Sequence, residues 1–265
     1  MELEIIIGFL FLLGVSIGSF VNVVVLRIEK GETITGRSHC PHCMRTLRAY
    51  ELVPLFSYIF LRGRCRTCKK PLSLQYLLVE IATGVLFASV PFITTNVIDA
   101  GILLAAIATL VAIVVYDLRH KIIPDVFVYS FNVLALLSVY IDEGSLVMHP
   151  DPLLLLSGAL AAFPFAALWV ISKGAWIGFA DAKLALGIGW FLGIVGALSS
   201  FMLAFWIGAV VSVVLLLIKR YGFPFMQNSL TIHSEVPFAP FLAIGFLLVL
   251  FFSINAFTLP TSLFY

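Results

Sequence analysis

Hydrophobic positions dominate long runs of this chain, and polar positions collect between the runs. A helix needs roughly 20 apolar residues to cross the hydrocarbon of a bilayer. Eight runs approach that length, at about 5–26, 74–95, 98–116, 125–141, 153–172, 182–198, 200–218 and 237–257. No soluble linker, low-complexity segment or internal repeat is visible between them. The pattern predicts an all-α polytopic membrane protein of about eight transmembrane helices. It divides into a first helix (1–26), a polar segment (27–73) and a helical bundle (74–265).

Composition agrees with that architecture. Hydrophobic residues make up 62% of the chain and charged residues 11%, against about 45–50% and about 25% in a soluble protein. One soluble core cannot hold that excess. The net charge of +2 says little, but its distribution is informative. Ten of the 16 Lys and Arg lie between Arg27 and Lys70, opposed there only by Glu29, Glu32 and Glu51. Short loops rich in Lys and Arg stay in the cytoplasm. A basic patch can also serve nucleic acid, but a short segment tethered between spans needs no such partner, and none is expected.

Orientation can be tested along the chain. The N-terminus, MELEIIIGFLFLLG, begins with Glu2 and Glu4 and has no basic region before its apolar run. A cleavable signal would carry Lys or Arg there, so an uncleaved first span with an outward N-terminus is expected. Alternating from that start, Arg119, Lys121, Lys173, Lys183, Lys219 and Arg220 all fall on the cytoplasmic side. The outer loop DEGSLVMHPDP (142–152) has no Lys or Arg. Both termini are therefore expected outside.

All four cysteines lie in the basic segment, as Cys40 and Cys43 in CPHC and Cys65 and Cys68 in CRTC, with 21 residues between the pairs. Two C-x2-C turns can close a tetrahedral four-thiolate zinc site. A reducing compartment disfavours disulfides, and a dithiol redox site needs only one such pair. The spacing favours structural zinc, with His39 and His42 as bystanders. Four cysteine ligands leave no open position for catalysis.

Carboxylates near the apolar runs carry the remaining chemistry. Asp117 ends the third run, Asp125 follows Pro124, Asp181 opens the sixth run within GFADAK, and Glu80 lies inside the second. Asp caps helix N-termini well, so on these features alone capping or salt bridging is the more economical reading of Asp125 and Asp181. Asp117 at a helix C-terminus has no such explanation, because the dipole there disfavours an anion. The functional reading is a pair of aspartates sharing one proton, placed where the cytoplasmic ends of spans admit water.

Six segments, in order, resemble the bacterial type IV prepilin peptidases, bifunctional leader peptidase and N-methyltransferase enzymes. They are GSFVNVVVLR (18–27), SHCPHC (38–43), ELVPLFSYIFLRGRCRTCKKPLSLQYLLVE (51–80), DLRHKIIPD (117–125), GFADAKL (178–184) and VPFAPFLAIG (236–245). The resemblance implies that Asp117 and Asp181 are catalytic, with Asp125 secondary and Lys183 tuning the second aspartate. It makes 74–265 an aspartyl peptidase bundle. The implied substrates are prepilin or pseudopilin precursors, cut where a basic leader meets the membrane. The implied location is the bacterial cytoplasmic (inner) membrane. S-adenosylmethionine is implied as methyl donor, although the chain has no glycine fingerprint for it; Asn22, Glu51 and Glu80 fall in the matching segments.

One position departs from the family. Its second motif usually reads G-x-G-D, and this chain keeps Gly178 but has Ala180 before Asp181. Alanine serves there if φ is negative. Two rival readings are a proton-coupled transporter and a non-enzymatic scaffold of a pilus or secretion assembly. Transporters more often show paired repeats and broken helices at mid-membrane. A scaffold should tolerate Asp117→Asn.

Overall fold

The structure is a computed structural model that describes residues 2–29, 31–33, 35–142, 145–146, 150–220 and 237–257. Lys30, parts of the expected outer loop (143–144 and 147–149), Val236 and residues 258–265 lie outside the described residues. Among the described residues eight α-helices follow one another: α1 (Glu2–Glu29), α2 (Phe56–Phe60), α3 (Gln75–Ser89), α4 (Val97–His120), α5 (Asp125–Tyr140), α6 (Pro152–Ser172), α7 (Phe179–Arg220) and α8 (Ala239–Phe252). One short antiparallel ribbon, β1 (Ile141–Asp142) with β2 (Ser145–Leu146), follows α5.

The helical membrane architecture expected from the sequence is present, with the span count approximate. Among the described residues, five helical segments are long and apolar enough to cross a bilayer: α1, α3 with its 3-10 continuation to Phe92, α4, α6 and α7. Helices α5 and α8 are apolar but shorter, at 16 and 14 residues. The runs expected at 182–198 and 200–218 both lie within α7, which is two helical stretches joined at a kink. Its helical path breaks at Gly193, where φ is 67° and ψ is 175°, a conformation open to glycine and costly for other residues.

The chain divides after Val115 into two compact units. In the first, α1 packs along α3. Glycine brings the two backbones together: a Cβ on Gly14 would lie 2.6 Å from the Thr83 carbonyl oxygen. Such small-residue contacts let apolar helices gain close packing where lipid offers no hydrophobic drive. Asn22 adds a polar tie, donating from Nδ2 to the Tyr76 carbonyl at 3.3 Å.

The second unit is organised around α7, which packs against α5, α6 and α8. Phe131, Leu184, Ile188, Leu242 and Phe246 are fully buried. The Phe131 ring lies 5.8 Å from Phe246 and 5.4 Å from Phe191, linking α5, α7 and α8. Ser157 Oγ donates to the Gly189 carbonyl at 2.7 Å, and Trp190 Nε1 to the Leu155 carbonyl at 3.0 Å. These bonds fasten α6 to α7 with polar groups that apolar surroundings leave no other partner. The packed bundle thereby fixes the start of α7, where Asp181 lies.

Candidate functional site

Asp117 sits in the last turn of α4 and Asp181 in the first turn of α7. Both carboxylates are buried, and Asp181 lies within electrostatic reach of Asp117. The two residues separated by 63 intervening positions in the sequence are thus brought together inside the second unit. Burying one carboxylate is costly, and burying two as neighbours costs more unless they share a proton.

The placement of Asp117 answers the objection raised by its helix end. Its Oδ2 accepts the backbone N–H of Ala239 at 3.2 Å. Ala239 opens α8 and is followed by Pro240, which has no N–H to satisfy. The carboxylate therefore faces the positive end of α8, where an anion is favoured. No local motif around Asp117 could have revealed this partner; the Ala-Pro pair at 239–240 is the one sequence signal of a helix start there.

Asp181 does not cap α7 in the expected manner. Helix α7 begins at Phe179, so Asp181 is its third residue and Gly178 its N-cap. The Asp181 carboxylate reaches back to the Gly178 backbone, as an acidic residue at this position does in a capping box. A Cβ on Gly178 would lie 3.3 Å from Asp181 Oδ2, so glycine here leaves room for the carboxylate. Ala180 lies in the same helical turn and is absent from the positive-φ residues. Its backbone is one that alanine adopts freely.

Lys183 does not pair with Asp181. Its Nζ lies 2.6 Å from Asp125 Oδ1, and it sits 5.0 Å from the Tyr129 ring centre and 5.2 Å from that of Phe179. Asp125 is the first residue of α5 and Pro124 its N-cap, so of the two expected roles, capping or salt bridging, Asp125 takes the second. The pair joins the start of α5 to the start of α7. Asn132 reinforces the joint, donating to the Lys183 carbonyl at 3.1 Å.

The four cysteines also converge, in the first unit. All four Sγ atoms lie within 4.8 Å of one another, and those of Cys40 and Cys68 are 3.9 Å apart. Four thiolates around a tetrahedral zinc at about 2.3 Å stand about 3.8 Å apart, so the donor set fits such a metal. Two equivalent turns build it. Cys40 N–H bonds Arg45 O at 2.9 Å and Cys65 N–H bonds Lys70 O at 3.0 Å. Met44 and Lys69, each following a second cysteine, have φ of 57° and 56°. Bridges His39–Thr46 and Arg64–Pro71 close the two turns at matching offsets. This short structural repeat escaped the sequence reading because only the cysteines and one cation recur. Backbone N–H groups of Cys68 and Thr67 face the Cys65 sulfur and push its thiol down to about 6, which favours the thiolate that binds metal.

Polar residues of the same unit are committed to structure. Arg27 is buried and donates to the carbonyls of Thr33, Gly36 and Arg37, so the first cation of the basic segment folds the loop that follows it. Arg45 at 2.6 Å holds the Glu51 carboxyl below its usual range, helped by the Arg48 N–H. Glu80 Oε2 accepts the Leu55 N–H at 2.7 Å. Leu55 has φ 62° and ψ −57°, and Phe56 N–H bonds Pro54 O across it at 2.7 Å. That is a γ-turn, a strained form, held by a carboxylate from α3. A cavity of ≈ 170 Å³ lies beside these groups, lined by Asn22 and Leu26 of α1, Tyr76 and Glu80 of α3, and Glu51 and Tyr58 of the cysteine segment.

Comparison with known proteins places both units. Residues 12–93 match the Bacterial Peptidase A24 N-terminal domain and residues 102–213 the Type IV leader peptidase family. The four cysteines fall in the first match and both aspartates in the second. Several relatives carry the name Prepilin leader peptidase/N-methyltransferase, among them the following three. That of Burkholderia pseudomallei (strain K96243) is 32% identical over 287 residues, covering 93% of this chain and 85% of the relative. That of Myxococcus xanthus is 32% identical over 226 residues, covering 83% and 66%, and that of Bacillus subtilis 29% over 244 residues, covering 91% and 92%. No solved structure matches the chain. Two adjoining family matches, and a relative at that identity over most of both lengths, show that this chain belongs to the type IV leader peptidase family.

Proposed function

We propose that this chain is a membrane aspartyl endopeptidase that removes the basic leader of prepilins or pseudopilins. The observation that carries the reading is the burial of two carboxylates, Asp117 and Asp181, at helix ends and within electrostatic reach of each other, in a chain of this family. One aspartate, ionised, takes a proton from water as it attacks the scissile carbonyl. The other, protonated, donates to the carbonyl oxygen. Collapse of the tetrahedral adduct breaks the C–N bond, and the amine leaves with a proton. The Ala239 N–H holds the Asp117 carboxylate in place. Gly178 gives Asp181 the room to turn.

The topology that serves this chemistry sets both termini outside and the basic segment (27–73) in the cytoplasm. Cleavage then occurs at the cytoplasmic face of the bacterial inner membrane, within the bundle 74–265. In this reading Cys40, Cys43, Cys65 and Cys68 hold a structural zinc. Such a metal ties two distant turns into one module and takes no part in hydrolysis.

The second activity is N-methylation of the newly exposed amine, as the relatives' names state for those proteins. S-adenosylmethionine supplies the methyl group when bound. The cavity in the first unit is the candidate place for that donor: Glu51 and Glu80 line it with Asn22, Tyr58 and Tyr76, and Arg27, Arg64 and Arg66 line it as well, so it offers partners to both the cationic and the carboxylate ends of a zwitterion. Those carboxylates attract positive charge, and the aromatic rings favour cations.

The test is cleavage of a prepilin-like substrate in membranes, followed by gel shift and mass spectrometry. Wild type removes the leader, and the added mass of a methyl group on the mature product reports the second activity. Asp117→Asn and Asp181→Asn abolish cleavage while the protein still accumulates. Cleavage by both variants would overturn the aspartate pair as the catalytic groups, and no cleavage by the wild type would return the chain to a scaffold role.

A further inference from the structure

The residues between the two cysteine turns pose a problem that neither the metal nor peptide hydrolysis explains. Ile59 and Phe60 of α2 are 63% and 79% exposed, and Leu52, Val53 and Phe56 beside them are exposed as well. Five large apolar side chains form one unpartnered face on a segment that composition alone marks as polar.

The depth of that face follows from its neighbours in the same unit. Ser57 and Tyr58 of α2 wall the cavity that Asn22 and Val23 of α1 and Glu80 of α3 wall from the other side. The Leu55 N–H is bonded by Glu80, which lies within α3 beyond its first turn. Both α1 and the extended α3 are long and apolar enough to span a bilayer. Helix α2 thus lies against the ends of two spans, not beyond them. Backbone at that level must find internal partners, and the Glu80–Leu55 bond supplies one at the strained turn.

A second feature adjoins the first. Phe60, Arg62, Arg64, Arg66 and Lys69 line a surface groove of ≈ 470 Å³. Among the described residues Arg62, Arg64 and Lys69 form no ion pair. Four cations beside an apolar face are the footprint of an interfacial element, which buries its apolar side at the acyl boundary and meets phosphate headgroups with its charges. The same charge repels a basic leader peptide, so the groove does not suit the proposed substrate.

We propose that the 52–60 face inserts into the bilayer interface and that the adjoining Arg62–Lys69 groove binds the phosphate headgroups of anionic lipid. The cysteine module is then held on the membrane by its own surface as well as by its two tethers. This inference does not depend on leader cleavage.

The experiment uses the full-length chain in lipid nanodiscs of phosphatidylcholine alone or with phosphatidylglycerol. Each contains a phospholipid carrying a diazirine near the glycerol end of its acyl chain, and labelled residues are mapped by mass spectrometry. Residues 52–60 should be labelled in both, and several-fold more with phosphatidylglycerol. Labelling confined to α1, α3 and the other apolar helices overturns the inserted face. Equal labelling in the two lipids overturns the anionic groove. The double variant Arg62→Gln with Lys69→Gln should lose most of the phosphatidylglycerol enhancement, because it removes two of the four cations that meet the headgroups. Its unchanged labelling of α1 and α3 serves as the folding control, and the wild-type comparison stands without it. Inorganic phosphate at constant ionic strength should leave the wild-type pattern unchanged; competition would assign the groove to a free anion and overturn the lipid proposal.

Discussion

Replacing Asp117 by Asn and by Ala separates two roles that one carboxylate holds. The side chain is 5% exposed and its Oδ2 accepts the Ala239 N–H at 3.2 Å. Asparagine keeps an oxygen acceptor of the same size at the same place, so the start of α8 keeps its partner. The expected stability loss is under about 1 kcal/mol, within the net worth of one hydrogen bond. Alanine removes the acceptor and leaves the N–H unpaired in a buried site, at a cost of about 1–3 kcal/mol. Neither variant can share a proton with Asp181, so both should lose cleavage by about 10²-fold or more. The assay pairs initial rates of leader cleavage in membranes with thermal melting of the solubilised protein. Asp117→Asn should be inactive and melt close to wild type; Asp117→Ala should be inactive and melt lower. An Asn variant that keeps more than about a tenth of the wild-type rate would make Asp117 a helix cap and nothing more.

Three further outcomes follow from neighbouring contacts. Ala180→Gly should leave the cleavage rate unchanged, because Ala180 occupies a helical turn without positive φ; a several-fold gain would show that the working site needs glycine there. Lys183→Met removes the 2.6 Å pair with Asp125, whose side chain is 58% exposed. Such a pair is worth about 0–1 kcal/mol after solvent screening, so a double-mutant cycle with Asp125→Asn should yield a small coupling in melting, and a coupling several times larger would contradict the geometry. Elemental analysis should find one zinc per purified chain and none after Cys65→Ser, with faster hydrogen exchange over the two cysteine turns; unchanged metal content would dismiss the four-thiolate site.

Much of the fold was legible because lipid imposes a coarse rule. Every apolar run of about spanning length became a helix, as α1, α3, α4 and α6 illustrate. The rule says nothing about where two adjoining runs meet. Leu198 and Ser199 looked like a boundary by composition, but the helical path breaks at Gly193, where backbone conformation decides. The cysteine spacing was equally readable, because C-x2-C turns are local. What spacing could not show is the polar bonding that supports them: Arg27 on three loop carbonyls, and Glu80 on the Leu55 N–H across 25 positions. The Asp125 partner of Lys183 was illegible for a related reason. Two residues along a helix do not face each other, so Lys183 turns away from Asp181 toward α5.

The aspartate pair makes the same point at the level of chemistry. An acid at the end of α4 is unfavourable with respect to its own helix, because the carbonyl dipoles there are negative. It becomes tolerable when a different helix presents its N–H groups, as α8 does through Ala239. Asp181, on the first turn of α7, lies at the favourable end of its own helix and reaches back to Gly178. Two helix N-termini thus face two buried carboxylates, one supplied from 122 residues away and one from within the same turn. Each offsets part of the cost of burying charge, and neither removes the mutual repulsion that makes the pair share a proton. A site of this kind therefore requires the bundle to fold first, which is why α7 packs against α5, α6 and α8 through a dense aromatic core immediately beyond it.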